Sequence, residues 1–284
     1  MDIKTLREKL DIHLDSMGRK AGTKQRYHRA LNKVAQIIPD LEFSRSNVKK
    51  FTAVLRREGY KPSVIRFHYF FLKSLVENVI EGDWPLKKAD IPPEPGPGEL
   101  SQPILEENRI KEMIQRAKEA RLFPADLTRF TISTVYGARR IELAELGEGS
   151  INLDQKVIRV ETRKRGEPRT HILPDEILPY LRPKGLEPID EGDMSEAFIR
   201  IEESLGFEHQ KGFGWHSIRR RLATWLDDHN VSEKSIHIFM RWGRRKTILD
   251  RYIVRTTVET EKKKVEVDRE IFKLHPFLPT WREG

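Results

Sequence analysis

Between Gly82 and Pro103 the chain carries Pro85, Pro92, Pro93, Pro95, Pro97 and Pro103, with Gly96 and Gly98 among them. Proline has no amide hydrogen to give a helix or an inner strand, so neither element can run through this stretch. The 284 residues are therefore expected to divide into a helical unit over 1–81, a semi-extended linker over 82–103 and a larger unit over 104–284. In the first unit, Leu6, Leu10 and Leu14 recur at helical spacing. Thr23 reads as the cap of a second helix carrying Tyr27, Leu31, Val34 and Ile38, Ser46 as the cap of a third, and Pro62 as the first-turn proline of a fourth. In the second unit, helical patterns over 104–120, 124–136 and 139–146 give way to strand-like runs at 157–160 and 170–173, joined by a polar tip. Helical signals return beyond Ser195, and a last helix is expected over 257–273. The fold class is mainly α, an α+β chain with one small antiparallel sheet.

Charge narrows the partner. Lys and Arg outnumber Asp and Glu by 53 to 44, giving a net charge of +9 and a pI near 9.6. Such an excess favours an acidic partner, nucleic acid first. With no cysteine present, disulfides, thiolate catalysis and cysteine-type zinc sites are excluded. Asp2, Lys4 and Arg7 charge the amino terminus, unlike a signal peptide, and no apolar run approaches the roughly 18 residues of a membrane span. The expected location is the cytoplasm.

Four segments place polar chemistry where plain core or loop would be expected. In Tyr136-Gly137-Ala138-Arg139-Arg140-Ile141-Glu142-Leu143 an arginine pair opens a helix, which the helix dipole disfavours unless an anion shares the spot. Arg163-Lys164-Arg165-Gly166 forms a basic hairpin tip. In Trp215-His216-Ser217-Ile218-Arg219, His216 and Arg219 share one helix face and can together hold a phosphate. Arg241-Trp242-Gly243 is followed by Tyr252. Each alone is ordinary: most single arginines and histidines are structural or solvated.

In this order, the four segments resemble the active-site series of the tyrosine recombinases, and more closely the archaeal plasmid and virus integrases than the bacterial resolvases. The resemblance implies the fold of that DNA breaking and rejoining family, with a helical, SAM-like core-binding domain at 1–81 and a catalytic domain with a helical tail at 104–284. Thr23 and Tyr27 are similar to the Thr-x-x-x-Tyr opening of the core-binding domain. The resemblance assigns Arg139, Lys164, His216, Arg219 and Trp242 to catalysis, Tyr252 as nucleophile and Glu142 as a supporting acid. The usual Leu-Gly-His triplet is altered here to Met240-Arg241-Trp242, and Trp242 stands one residue further from the tyrosine than the pattern expects. Arg140 beside Arg139 and Arg165 beside Lys164 leave room for a slip of one.

The implied activity is site-specific strand exchange through a 3′-phosphotyrosyl link, integrating or excising a mobile element. Arg139 and Arg219 neutralise the phosphate, Lys164 protonates the departing 5′ oxygen, and neither metal nor any other cofactor is expected. Two other readings share these residues: a type IB topoisomerase-like enzyme, and a DNA-binding protein that has lost catalysis. The partner is double-stranded DNA with a specific recombination site, contacted by Lys24, Arg26, Arg29, Lys61, Arg66, Arg163 and Arg165. Self-association to a tetramer on DNA is implied, with a monomer in solution and no membrane. The tail beyond Tyr252 either docks on a neighbouring copy or packs on its own domain; the sequence leaves both open.

Overall fold

The computed structural model describes residues 2–19, 21–94, 103–162, 168–242 and 257–282. The chain separates into two compact units, Met1–Ser101 and Gln102–Gly284.

The first unit holds four helices: α1 (Ile3–Ser16), α2 (Ala21–Ile37), α3 (Arg45–Arg57) and α4 (Pro62–Asn78). Each buries one stripe: Leu6, Leu10 and Leu14 from α1, Leu31 and Val34 from α2, Val48, Phe51 and Leu55 from α3, Ile65, Tyr69 and Leu72 from α4. This three-and-four spacing is what packs a helix by one face. Asp2 caps α1 through the Thr5 amide at 2.9 Å, and Pro62 opens α4 as expected. Two expected caps move. Ser44 rather than Ser46 caps α3, accepting from the Asn47 amide, and α2 starts at Ala21, which puts Thr23 inside its first turn. The proline-rich stretch is not free of this unit at its start: Leu86 is buried in its core, and Trp84 packs edge-on against Tyr69 with ring centroids 5.4 Å apart.

The second unit is built around α5 (Glu107–Glu119), α6 (Pro124–Tyr136), the short α7 (Arg140–Ala144), α8 (Glu191–Ser204), α9 (Trp215–Asp228), α10 (Glu233–Phe239), α11 (Thr257–Leu274) and α12 (Leu278–Arg282). Between α7 and α8 lies a three-stranded antiparallel sheet, β1 (Ile151–Asn152), β2 (Val157–Val160) and β3 (Arg169–Ile172), in the order β1-β2-β3. Ile158 pairs with His171, and both are fully buried. α6 is buried almost all round, which suits the central helix of the unit. It stops at Gly137, whose φ of 53° is left-handed, a conformation glycine adopts without a Cβ penalty. That stop turns the chain so that Arg139 meets the start of α7.

Of the two placements open for the tail, this structure has the second. From α11, Val267, Asp268 and Ile271 are buried in their own unit, and Trp281 of α12 lies against Phe130 and Tyr180. Among the described residues no helix is long and apolar enough to cross a membrane.

Candidate active site

Arg139 is the N-cap residue of α7 and has no capping side-chain oxygen to offer. Glu142, three residues on, takes that part: its Oε2 accepts the Arg139 amide at 2.8 Å, and its Oε1 accepts Arg139 Nη1. Glu142 is wholly buried, and a buried carboxylate needs partners. It has three guanidiniums around it. Arg139 is one, Arg241 donates Nη2 to Oε2 at 3.0 Å, and Arg219 Nη1 lies 4.0 Å from the same oxygen. Burial alone pushes Glu142 up, but these cations, Arg241 most, together with the Arg139 amide hold it below the usual carboxylate range.

Arg219 comes from α9, a helix that opens at Gly214 directly before Trp215. Trp215 anchors that end, its indole nitrogen donating to the Met194 carbonyl at 2.6 Å. One turn on, Arg219 donates Nη1 to the Gly137 carbonyl and Nη2 to the Met240 carbonyl. Burial, then Arg241 and Arg139, push its guanidinium well below its ordinary pKa. Among the described residues these three arginines share one carboxylate, an excess of positive charge that favours an anion.

His216 stands exposed on the preceding turn and lines an open cleft with Arg139, Arg140, Ser195, His209 and Arg220. Partial burial, then Arg219, Arg220, Arg140 and Arg139, lower its pKa, which leaves the ring neutral at neutral pH. Trp242 braces the back of the site: Arg219 lies 5.7 Å from its ring centre, and His237 packs on it edge-on at 5.1 Å.

Arg139 and Arg140, adjacent in sequence, point different ways. Arg140 points to α8, donating to Ser195 Oγ at 2.8 Å and Glu191 Oε2 at 2.6 Å, while Arg139 is the one on Glu142. Thus Arg139, Glu142, Arg219 and Trp242 meet, with His216 at the mouth. Lys164, its neighbours Arg163 and Arg165, and Tyr252 lie outside the described residues. In the first unit, Lys24 pairs with Asp15, and Arg26 stacks 3.8 Å from the Phe67 ring centre. Arg66 is tied to the Pro92 carbonyl at 2.6 Å and to Glu94 at 2.9 Å, while Arg29 and Lys61 are exposed.

Sequence reasoning missed three residues at the centre. Arg241 was read only as part of an altered triplet, yet it is fully buried against Glu142. His171 and Asp268 were not singled out: one falls within the strand-like run at 170–173, the other within the helix expected over 257–273. They are joined: Arg241 Nη1 lies 2.8 Å from His171 Nε2, and His171 Nδ1 lies 3.1 Å from Asp268 Oδ1. The departure of Arg241 from the family triplet was the one available signal.

No family model matches the chain, and no curated protein matches its sequence. Solved structures do match. A lambda integrase dimer bound to a COC′ core site is 17% identical, with a TM-score of 0.61, covering 90% of this chain and 98% of that one. The Tn1549 transposon integrase in complex with transposon right end DNA is 13% identical, with a TM-score of 0.64, covering 91% of this chain and 98% of that one. A lambda integrase tetramer bound to a Holliday junction is 16% identical, with a TM-score of 0.61, covering 91% of this chain and 81% of that one. At such identities the likeness speaks for architecture alone: this chain is built on the fold shared by the lambda and Tn1549 integrases.

Proposed function

We propose that the protein is a tyrosine-type site-specific recombinase, which cuts and rejoins double-stranded DNA and assembles as a tetramer on it. The observation that carries this reading is the cluster of Arg139, Arg219 and Arg241 around the single carboxylate of Glu142, beside a cleft edged by His216. A phosphodiester resists attack because its own charge repels nucleophiles. Guanidiniums held ready at the non-bridging oxygens lower that barrier, and in a half-buried site they do so without rearranging solvent. Arginine suits this work because its planar fork stays charged at any working pH.

In the proposed step the Tyr252 hydroxyl oxygen attacks phosphorus. The phosphorus bond to the 5′ oxygen breaks, leaving a 3′-phosphotyrosine and a free 5′ hydroxyl. His216, kept neutral, accepts the phenol proton, and Lys164 gives a proton to the departing oxygen. The reverse sequence, with a 5′ hydroxyl from another strand, completes exchange. The fold's likeness to integrases captured on core-site DNA and on a Holliday junction supports duplex DNA as the substrate.

The test is covalent trapping on nicked duplexes with randomised cores, in which the cleaved end diffuses away. The wild type is expected to yield a protein–DNA adduct that survives denaturation. Tyr252→Phe should remove the adduct while leaving DNA affinity within about threefold, since affinity rests mostly on phosphate contacts elsewhere. DNA binding with no adduct under any condition would establish a binding protein instead.

A further inference from the structure

We infer that Arg241 is an internal counter-ion that keeps Glu142 neutralised so that Arg139 can leave that carboxylate for the phosphate beside Arg219, an inference that rests on the function proposed above. The guanidinium of Arg241 is completely enclosed, and all five of its N–H groups are engaged. Nε and Nη2 donate to Glu142 Oε2 at 3.3 and 3.0 Å, and Nη2 also donates to the Tyr136 carbonyl at 3.1 Å. Nη1 donates to the Phe239 carbonyl at 3.1 Å and to His171 Nε2 at 2.8 Å. No donor is left over, so Arg241 cannot itself hold a ligand. Arg139, by contrast, lines the open cleft.

The rest of the network fixes Arg241 in this role. Because Arg241 can only donate, His171 Nε2 must accept, and the ring proton sits on Nδ1, facing Asp268. Asp268 also accepts Arg169 Nη2 and, at 3.1 Å, the Ile172 amide. The backbone of Arg241 is left-handed, with φ of 55°, a conformation a long side chain adopts only when its surroundings hold it. That conformation aims its carbonyl at Arg139, which donates Nη2 to it at 3.2 Å.

A phosphate reaching Arg139 and Arg219 competes with Glu142 for them. If those two arginines were its only partners, every bound phosphate would strand a buried negative charge. With Arg241 permanently on Oε2, Arg139 can exchange Glu142 for the phosphate and the carboxylate remains paired. Arg241 is thus a positioning residue and touches no substrate.

The experiment uses the full chain carrying Tyr252→Phe, so that binding is read without chemistry, and fluorescence anisotropy on nicked duplexes with randomised cores. Arg241→Gln should weaken binding at least fivefold, because Glu142 recaptures Arg139. Adding Glu142→Gln should restore affinity to within threefold of Glu142→Gln alone. Unchanged affinity in Arg241→Gln overturns the inference, as does a double variant more than tenfold weaker than Glu142→Gln. The second comparison holds even where Arg241→Gln alone does not fold, since the double variant removes both buried charges together. In the Tyr252 background, the deficit of Arg241→Gln in adduct formation relative to wild type should shrink as pH falls, because protonating Glu142 does what Glu142→Gln does; a deficit that does not change with pH overturns the inference. A wild type that forms no adduct refutes the recombinase reading and leaves the binding comparison standing.

Discussion

Two histidines are locked away from solvent in opposite proton arrangements. His171 accepts at Nε2 and donates from Nδ1; His275 donates from Nε2 to the Val135 carbonyl at 2.9 Å and accepts the Phe277 amide at Nδ1, 3.2 Å away. Each ring already uses both nitrogens, and burial pushes each pKa down from 6.5 to about 4. Above pH 6.5 both are neutral whether folded or not, and their stabilisation is complete. As pH falls from 6.5 towards 4 the unfolded chain takes up protons that the folded chain refuses, so stability declines and then levels below 4. Each histidine should steepen the decline by up to about 1.4 kcal/mol per pH unit. Urea unfolding at pH 7 and pH 5 checks this: His275→Gln should show the shallower loss, and an equal loss in both proteins would refute it. Arg139, His216 and Arg219 could be singled out in the sequence because they fall in a recognisable order. Arg241, His171 and Asp268 were not, because their meaning lies in a chain of contacts between elements distant in sequence.

At the scale of elements, the end of α6 controls the site more than any helix face does. Gly137 is left-handed, and a Cβ placed on it would come within 2.8 Å of the Met240 methyl. Its carbonyl also receives Arg219. Gly137→Ala should therefore lower stability by about 1–2 kcal/mol from backbone strain alone. It should also slow adduct formation, because strain in this turn shifts the Gly137 carbonyl that holds Arg219 Nη1. Thermal melting and trapping read the two effects; a variant that melts like wild type would count against the packing argument. Most elements were evident from periodicity, since apolar residues at three-and-four spacing leave a helix one way to pack. The caps were less evident. Ser44 and Ser46 are chemically alike, and only the position of the Asn47 amide decides between them.

In the whole molecule, two cores share no residue: one is built from the first unit's helices with Leu86, the other spans Leu105 to Trp281. A core of the second kind needs nothing from the first, so the fragment 102–284 should fold alone. Circular dichroism should give it a cooperative melt, and a broad, non-cooperative one would show that the first unit is required. The proline-rich stretch runs up to the boundary between the two units, but its prolines do not tell how far the first unit reaches into it, because proline forbids regular hydrogen bonding and not side-chain packing. Arg241, meanwhile, depends on an aspartate 97 residues beyond His171 in the chain. During synthesis every arginine of the cluster is made before Asp268 of α11, on which His171 and with it Arg241 depend. A chain halted short of Asp268 therefore carries all three guanidiniums without the contact that sets them.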